Sequence, residues 1–333
     1  MLAWVVRHPG PVDGSPLALI DRQAPRPQPG EVRVRIVTCG VCRTDLHLAE
    51  CDLAPYTPDV VPGHEIVGRV DALGEGASRF GIGERIGIAW LRQTCGVCTY
   101  CGRGDENLCT DARFTGWHAD GGYAEYAVVD ERFAYRLPDG FGDEEVAPLL
   151  CAGIIGFRAL RQAAVPRTGR LGIYGFGGSA HLAAQVAIAE GVTVHVMTRN
   201  PAARTLALEL GAASAADSAK APEPLDAAIV FAPAGEVVRE ALAGLAPGGT
   251  AVVAGIHLSD IPALNYETHL FRERHLRSVT ANTRADGEEF LATAARIGAR
   301  VVTTPYPLDR ADVALRDLAR GRVSGAAVLR VAE

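Results

Sequence analysis

The run from Arg170 to Glu190 constrains the fold more than any other stretch of the chain. Leu171-Gly172-Ile173-Tyr174 has the character of a buried strand, Gly175-Phe176-Gly177-Gly178-Ser179-Ala180 is a glycine turn, and an alanine-rich helix follows. A glycine turn between strand and helix lets the backbone approach a diphosphate closely and presents helix N-terminal amides to it. In this Gly-x-Gly-x-x-Ala pattern, Gly175, Gly177, Gly178, Ser179 and Ala180 are the expected cofactor-binding positions. The neighbouring sequence alternates. Strands are predicted at Thr193 to Met197, Ala227 to Phe231 and Thr250 to Ala254, and helices at Ala180 to Glu190, Ala202 to Leu210 and Val237 to Leu245. Such alternation predicts an α/β domain with a doubly wound parallel sheet.

The residues before Pro148 read differently. Short strands at Glu31 to Cys39, Glu65 to Leu73, Glu84 to Ala89 and Tyr123 to Val129 are broken by glycine and proline, which predicts a barrel-like β domain. With 333 residues and roughly 150 per domain, about two domains are expected. We place a catalytic domain at 1–150, a cofactor domain at 151–283 and a C-terminal return to the first domain at 284–333. That return contains a helix from Gly287 to Ile297, then a strand and a last helix before Val328-Leu329.

Composition removes several function classes. The net charge of −6 comes without a basic block, so a nucleic-acid partner is not expected. Lys220 is the single lysine, set in a loop-like stretch. Schiff-base and Walker-type phosphate chemistry need a lysine in a defined context and are therefore disfavoured. No apolar run is long enough for a membrane span. The N-terminus turns polar after six residues, too soon for a signal-peptide core, so a cytoplasmic location is expected. There, eight cysteines are expected to bind metal or act chemically rather than pair.

Four of them lie close together. Cys95, Cys98, Cys101 and Cys109 have two-residue gaps that turn successive thiolates toward one point, and a glycine-rich lobe returns the fourth. Four sulfur donors suit a tetrahedral zinc with no open position, a site that stabilises a loop. Iron–sulfur ligation and disulfides are the alternatives. A second, scattered set is Cys42, His64 and Cys151. Each has an ordinary reading as a packed thiol or a hydrogen-bonded histidine. Together, two thiolates and one imidazole would make a zinc site with an open fourth position.

The strand at Thr193 ends in Val196-Met197-Thr198-Arg199. A carboxylate here would bind the adenosine ribose of NAD, whereas threonine followed by arginine accommodates a 2′-phosphate. NADP(H) is therefore expected over NAD(H).

Taken in order, Cys42-Arg43-Thr44-Asp45, Gly63-His64-Glu65-Ile66-Val67-Gly68 with Gly74 and Ala77, the Cys95–Cys109 lobe, Leu150-Cys151-Ala152-Gly153 and the Gly175–Ala180 turn span essentially the whole chain. The sequence resembles the zinc-dependent alcohol dehydrogenases of the medium-chain dehydrogenase/reductase superfamily. That resemblance implies a GroES-like catalytic domain and a Rossmann domain, with two zinc ions per chain: one catalytic on Cys42, His64 and Cys151, one structural on the four-cysteine lobe. It implies that Glu65 sits behind the catalytic metal and that Asp45 orients His64. Thr44 would take the substrate hydroxyl proton and pass it through the nicotinamide ribose to His47. Arg43 would reach the cofactor pyrophosphate, and Trp90 and Trp117 would wall the substrate cleft. The implied reaction is hydride transfer between NADP(H) and a small to medium primary alcohol or aldehyde. A secondary-alcohol or polyol dehydrogenase, or a non-catalytic NADPH- and zinc-binding protein on this fold, are the alternatives. Relatives of this length are usually homotetramers or homodimers.

Three positions depart from the family pattern. Ile155 stands where a threonine usually touches the nicotinamide. Ala326 stands where relatives often carry an arginine that pairs with the glutamate behind zinc. The third is Thr198-Arg199. Cys39 and Cys51 are expected to be ordinary packed or surface thiols.

Overall fold

A computed structural model describes residues 1–255 and 258–332. The chain divides into two compact units, one of residues 1–151, 281–295 and 301–333, the other of 152–280 and 296–300. Cys151, placed by the sequence reading at the start of the cofactor domain, is grouped with the first unit.

The first unit is built on a seven-stranded sheet. Strand Glu31–Val41 is its spine, antiparallel to Ile66–Leu73, Tyr126–Asp130 and Ala326–Arg330. Val32, Val34 and Ile36 alternate with Arg33 and Arg35, so one face of this strand enters the core while the other carries charge. Strand Thr303–Pro307 pairs parallel with Ala326–Arg330 at one side of the sheet, and Arg85–Ile88 and Ala134–Arg136 complete the other. A separate hairpin, Leu2–Val6 with Leu17–Asp21, places Ala3, Trp4, Val5 and Val6 in the same core. Trp4 donates its indole N–H to the Leu308 carbonyl at 2.7 Å. The sequence pattern did not mark this hairpin.

The described residues of the second unit form a six-stranded sheet, its strands all paired in parallel. Their order is Ser214–Ala216, Thr193–Met197, Arg170–Tyr174, Leu225–Val230, Leu245–Val253, His275–Ser278. In chain order this is the doubly wound pattern of dinucleotide-binding folds, with the order reversing beside the strand that carries the glycine turn. Helix Ala152–Ala163 packs on helix Gly178–Ala189 at Gly156, where any side chain would come within 2.6 Å of the Ser179 carbonyl oxygen. Helix Gly235–Ala243 ends two residues earlier than expected, because strand Leu245–Val253 begins at Leu245 rather than Thr250. Leu245 pairs with Leu225 ahead of a register shift, so Pro247-Gly248-Gly249 lies within the strand instead of before it. Among the described residues no single helix is long and apolar enough to cross a membrane.

Candidate functional site

Residues far apart in sequence meet in the first unit. Cys42 caps helix Arg43–Glu50 directly after strand Glu31–Val41, and its Sγ accepts from the Thr44 N–H at 3.3 Å. His64 follows Gly63, which has φ +99, as the chain enters strand Ile66–Leu73, and Cys151 caps the short 3-10 helix Ala147–Leu150. His64 Nε2 lies 3.4 Å from Cys42 Sγ and 3.3 Å from Cys151 Sγ, and the two sulfurs are 4.0 Å apart. A disulfide would need about 2 Å. Donors bound to one zinc at about 2.3 Å for sulfur and 2.0–2.1 Å for nitrogen stand about 3.5–3.8 Å apart in a tetrahedron. The spacing and the donor chemistry therefore fit zinc. A Glu65 carboxylate oxygen falls in the same cluster, whose candidate ligand atoms all lie within 4.8 Å of one another.

The electrostatics follow from burial. Hydrogen bonding from Cys151, with His64 beside it, holds the Cys42 thiol well below its ordinary range. Burial alone would lower the His64 imidazole, but Cys42 and Asp45 together raise it well above its usual value. Burial, reinforced by Cys42, pushes the Glu65 carboxyl up. Gly40 makes room for Glu65: a Cβ there would stand 1.7 Å from Glu65 Oε2.

Asp45 holds the cluster together from behind. Its Oδ2 accepts from the Cys42 N–H at 2.9 Å and from the Tyr123 hydroxyl at 3.1 Å. Its Oδ1 accepts from the Gly63 N–H at 3.1 Å and stands 3.2 Å from His64 Nδ1, close but out of line with a ring N–H. Thr44 is buried on the same helix, one turn before the partly covered His47, while Arg43 is exposed. The Trp90 ring meets His64 edge-on with centroids 4.8 Å apart, and Trp117 lies nearly parallel to Trp90 at 6.1 Å. Phe114 stacks on both tryptophans.

The four-cysteine lobe forms a second cluster, its sulfurs also within 4.8 Å of one another. Backbone N–H groups of Cys95, Cys98 and Cys101 point at Cys109, Cys95 and Cys98 sulfurs at 3.4, 3.3 and 3.5 Å. Backbone hydrogen bonds from Val97 and Cys98 lower the Cys95 thiol to about 7. These are the features of a loop arranged to hold thiolates, and all eight cysteines are unpaired by disulfide. Cys39 is fully buried and Cys51 exposed.

The second unit supplies the cofactor turn. Gly175 follows strand Arg170–Tyr174 at φ +85, and a Cβ there would come within 2.9 Å of the Ala232 backbone nitrogen. Gly177 caps helix Gly178–Ala189, so the first helical amides, Gly178, Ser179 and Ala180, face out of the turn. Thr198 follows strand Thr193–Met197 with its N–H on the Ala216 carbonyl at 3.0 Å, and Arg199 is exposed. Arg204 instead binds the Thr198 and Arg199 carbonyls at 3.0 and 2.9 Å. Ile155 is half-buried in helix Ala152–Ala163, and Ala326 opens the strand beside Glu31–Val41.

Comparison with known proteins adds the family. Residues 28–139 match the alcohol dehydrogenase GroES-like domain, and residues 178–296 match the zinc-binding dehydrogenase family. The chain belongs to the zinc-type alcohol dehydrogenase family. Among curated relatives of this alcohol dehydrogenase is the probable alcohol dehydrogenase AdhA of Mycobacterium tuberculosis, 58% identical over 99% of this chain and 97% of that one. An alcohol dehydrogenase of Geobacillus stearothermophilus is 34% identical over 95% and 96%. Among solved structures, the cinnamyl alcohol dehydrogenase of Sorghum bicolor is similar at a TM-score of 0.89, 28% identity and coverage of 99% and 97%. Members of this family act on small molecules, and each of the two cysteine-containing clusters could hold a metal ion.

Sequence reasoning passed over three residues at this alcohol dehydrogenase's site. Tyr123 was read only as the start of a strand, although its hydroxyl reaches Asp45. Phe114 completes the aromatic stack, and its alternation within a two-residue strand, Arg113–Phe114, is too short to read. Asp52, in a loop after helix Arg43–Glu50, stands 2.9 Å from His47 Nδ1. No periodic pattern could have marked it.

Proposed function

We propose that this alcohol dehydrogenase interconverts small to medium primary alcohols and aldehydes with NADP(H), using a catalytic zinc on Cys42, His64 and Cys151 and a structural zinc on Cys95, Cys98, Cys101 and Cys109. The observation that carries the reading is the convergence of two thiol sulfurs and one imidazole nitrogen at 3.3–4.0 Å. Zinc held there supplies Lewis acidity, lowering the pKa of a coordinated hydroxyl and polarising a carbonyl in the reverse direction. The nicotinamide supplies or accepts the hydride.

The chain's own groups do the rest. Asp45 orients the His64 ring, and the buried Glu65 lies close enough to the three donors to approach their metal. Thr44 accepts the proton of the substrate hydroxyl, and His47, one turn further along the helix, hands it to solvent. Trp90 and Trp117 form an apolar wall beside His64, which favours a substrate with an apolar body. Ile155, lacking the hydroxyl of threonine, bears on the nicotinamide through bulk alone.

The amides of Gly178, Ser179 and Ala180 bind the pyrophosphate. Thr198 offers no carboxylate to repel a 2′-phosphate, and the exposed Arg199 side chain is the group that would pair with one. The test is nicotinamide absorbance during reduction of aliphatic and aromatic aldehydes with NADPH or NADH. Faster NADPH consumption supports the proposal. A preference for NADH would remove the role of Arg199, and no consumption of either would overturn the aldehyde substrate class.

A further inference from the structure

A cavity of about 510 Å³ is lined, among the described residues, by the second unit alone. Three helices end at it. Ala152–Ala163 contributes Arg161 from its last turn, Gly178–Ala189 contributes Ala189 and its cap Glu190, and Arg284–Ile297 contributes Arg296. Arg167 comes from the Pro166–Gly169 turn, which closes with the Gly169 N–H on the Pro166 carbonyl at 2.8 Å and holds Thr168 at φ +62. Val165 and Val192 supply an apolar wall. The cofactor turn is not part of this cavity: it stands at the other end of helix Gly178–Ala189, about 18 Å away at 1.5 Å per residue.

The charge on the cavity wall is unbalanced. Glu190 pairs with Arg161 at 3.2 Å, and the Arg161 guanidinium lies over the Phe157 ring at 4.4 Å. Among the described residues no ion pair neutralises Arg167 or Arg296, so three guanidiniums share one carboxylate. A helix C-terminus attracts cations, which is reason enough for Arg161 and Arg296. Arg167 sits on a turn without that attraction and adds like charge to the same cavity. An anion removes the repulsion, and phosphate suits arginine because its oxygens accept paired N–H bonds from the planar guanidinium. Size decides the class: cavities of roughly 300–1,000 Å³ hold whole organic molecules rather than single ions. We propose that this cavity binds an organic phosphate monoester, its dianionic head on Arg167 and Arg296 and its apolar body against Val165, Ala189 and Val192. Arg161 stays with Glu190.

Calorimetric titration of the zinc-loaded protein with phenyl phosphate and with inorganic phosphate tests it, with NAD+ and NADP+ both present so that the cofactor turn is filled. Wild type is expected to bind phenyl phosphate several-fold more tightly than inorganic phosphate, because only the first buries an apolar body. Arg167→Ala and Arg296→Ala should each weaken phenyl phosphate about tenfold, the loss of a charged hydrogen-bond donor, and the double variant should lose more. Arg167→Lys, which keeps the charge without the planar fork, should lose less than Arg167→Ala. Added sodium chloride should weaken binding in wild type far more than in the double variant. Both arginines are exposed, so the variants should keep the wild-type unfolding midpoint and aldehyde turnover. No binding of phenyl phosphate by wild type, or unchanged affinity in the double variant, would overturn the inference. Inorganic phosphate bound as tightly as phenyl phosphate would mark an adventitious ion only and overturn it as well.

Discussion

Asp45 Oδ1 stands 3.2 Å from His64 Nδ1 while the same carboxylate collects N–H bonds from Cys42 and Gly63 and the hydroxyl of Tyr123. One buried side chain thus fixes the backbone at Cys42 and at Gly63, next to His64, and faces the His64 ring. Groups behind a metal ligand set its tautomer and orientation, and losing them typically weakens metal binding by about 10–100-fold. Asp45→Asn is expected to weaken zinc binding within that range, measured by competition with a chromophoric chelator. Tyr123→Phe, which removes one donor and leaves the carboxylate, should cost less. Equal zinc affinity in Asp45→Asn and wild type would contradict the role.

The four-cysteine lobe is tied to the C-terminal return. Glu106, between Cys101 and Cys109, accepts from the Arg284 backbone N–H at 3.1 Å and from Nε at 3.0 Å at the start of helix Arg284–Ile297. Burial alone would raise the Glu106 carboxyl, but hydrogen bonds from Arg284 hold it below the usual glutamate value. A depressed carboxylate stabilises the fold above its unfolded pKa, about 4.3, and loses that contribution as pH falls through the lower folded value. Arg284→Ala should therefore lower stability by roughly 1 kcal/mol at pH 7, allowing for solvent screening. The gap between variant and wild type in denaturant unfolding should narrow below about pH 4. A gap that is constant with pH would show that packing of Arg284 over the Phe133 ring, at 4.7 Å, carries the effect instead.

Arg199 and Arg204 lie five residues apart and differ in what they hold. Arg204 is committed to two carbonyls of the turn, while Arg199 extends outward after Thr198. Arg199→Asp is expected to raise the KM for NADPH about tenfold or more by exchanging attraction for repulsion, with the KM for NADH much less affected. An unchanged KM for NADPH would contradict the assignment.

Local patterns were legible where chemistry and spacing coincide. The strand at Glu31 announced itself through alternating valines and arginines, and the lobe through two-residue gaps between cysteines. The Gly175 turn announced itself through glycines in a strand–helix context. Cys42, His64 and Cys151 carry no such signal, since 22 and 87 residues separate them and only tertiary folding joins them; family resemblance, not periodicity, grouped them. Helix Arg43–Glu50 is only eight residues long, with Thr44 and Asp45 buried among its apolar positions, so its pattern was not readable as a helix. Strand Leu245–Val253 was shortened in the sequence reading because Pro247-Gly248-Gly249 looks like a break. Partners of the carboxylates, Tyr123 for Asp45 and His47 for Asp52, depend on side-chain directions that a one-dimensional pattern does not contain.

The central claim is that the metal on Cys42, His64 and Cys151 does the chemistry. Elemental zinc analysis and aldehyde-dependent NADPH oxidation on the same samples of wild type and Cys151→Ser test it most directly. The account predicts two zinc ions per wild-type chain and one in the variant, whose turnover falls about a thousandfold or more with loss of several kcal/mol of Lewis-acid stabilisation. A variant that loses one zinc yet keeps its turnover would contradict it.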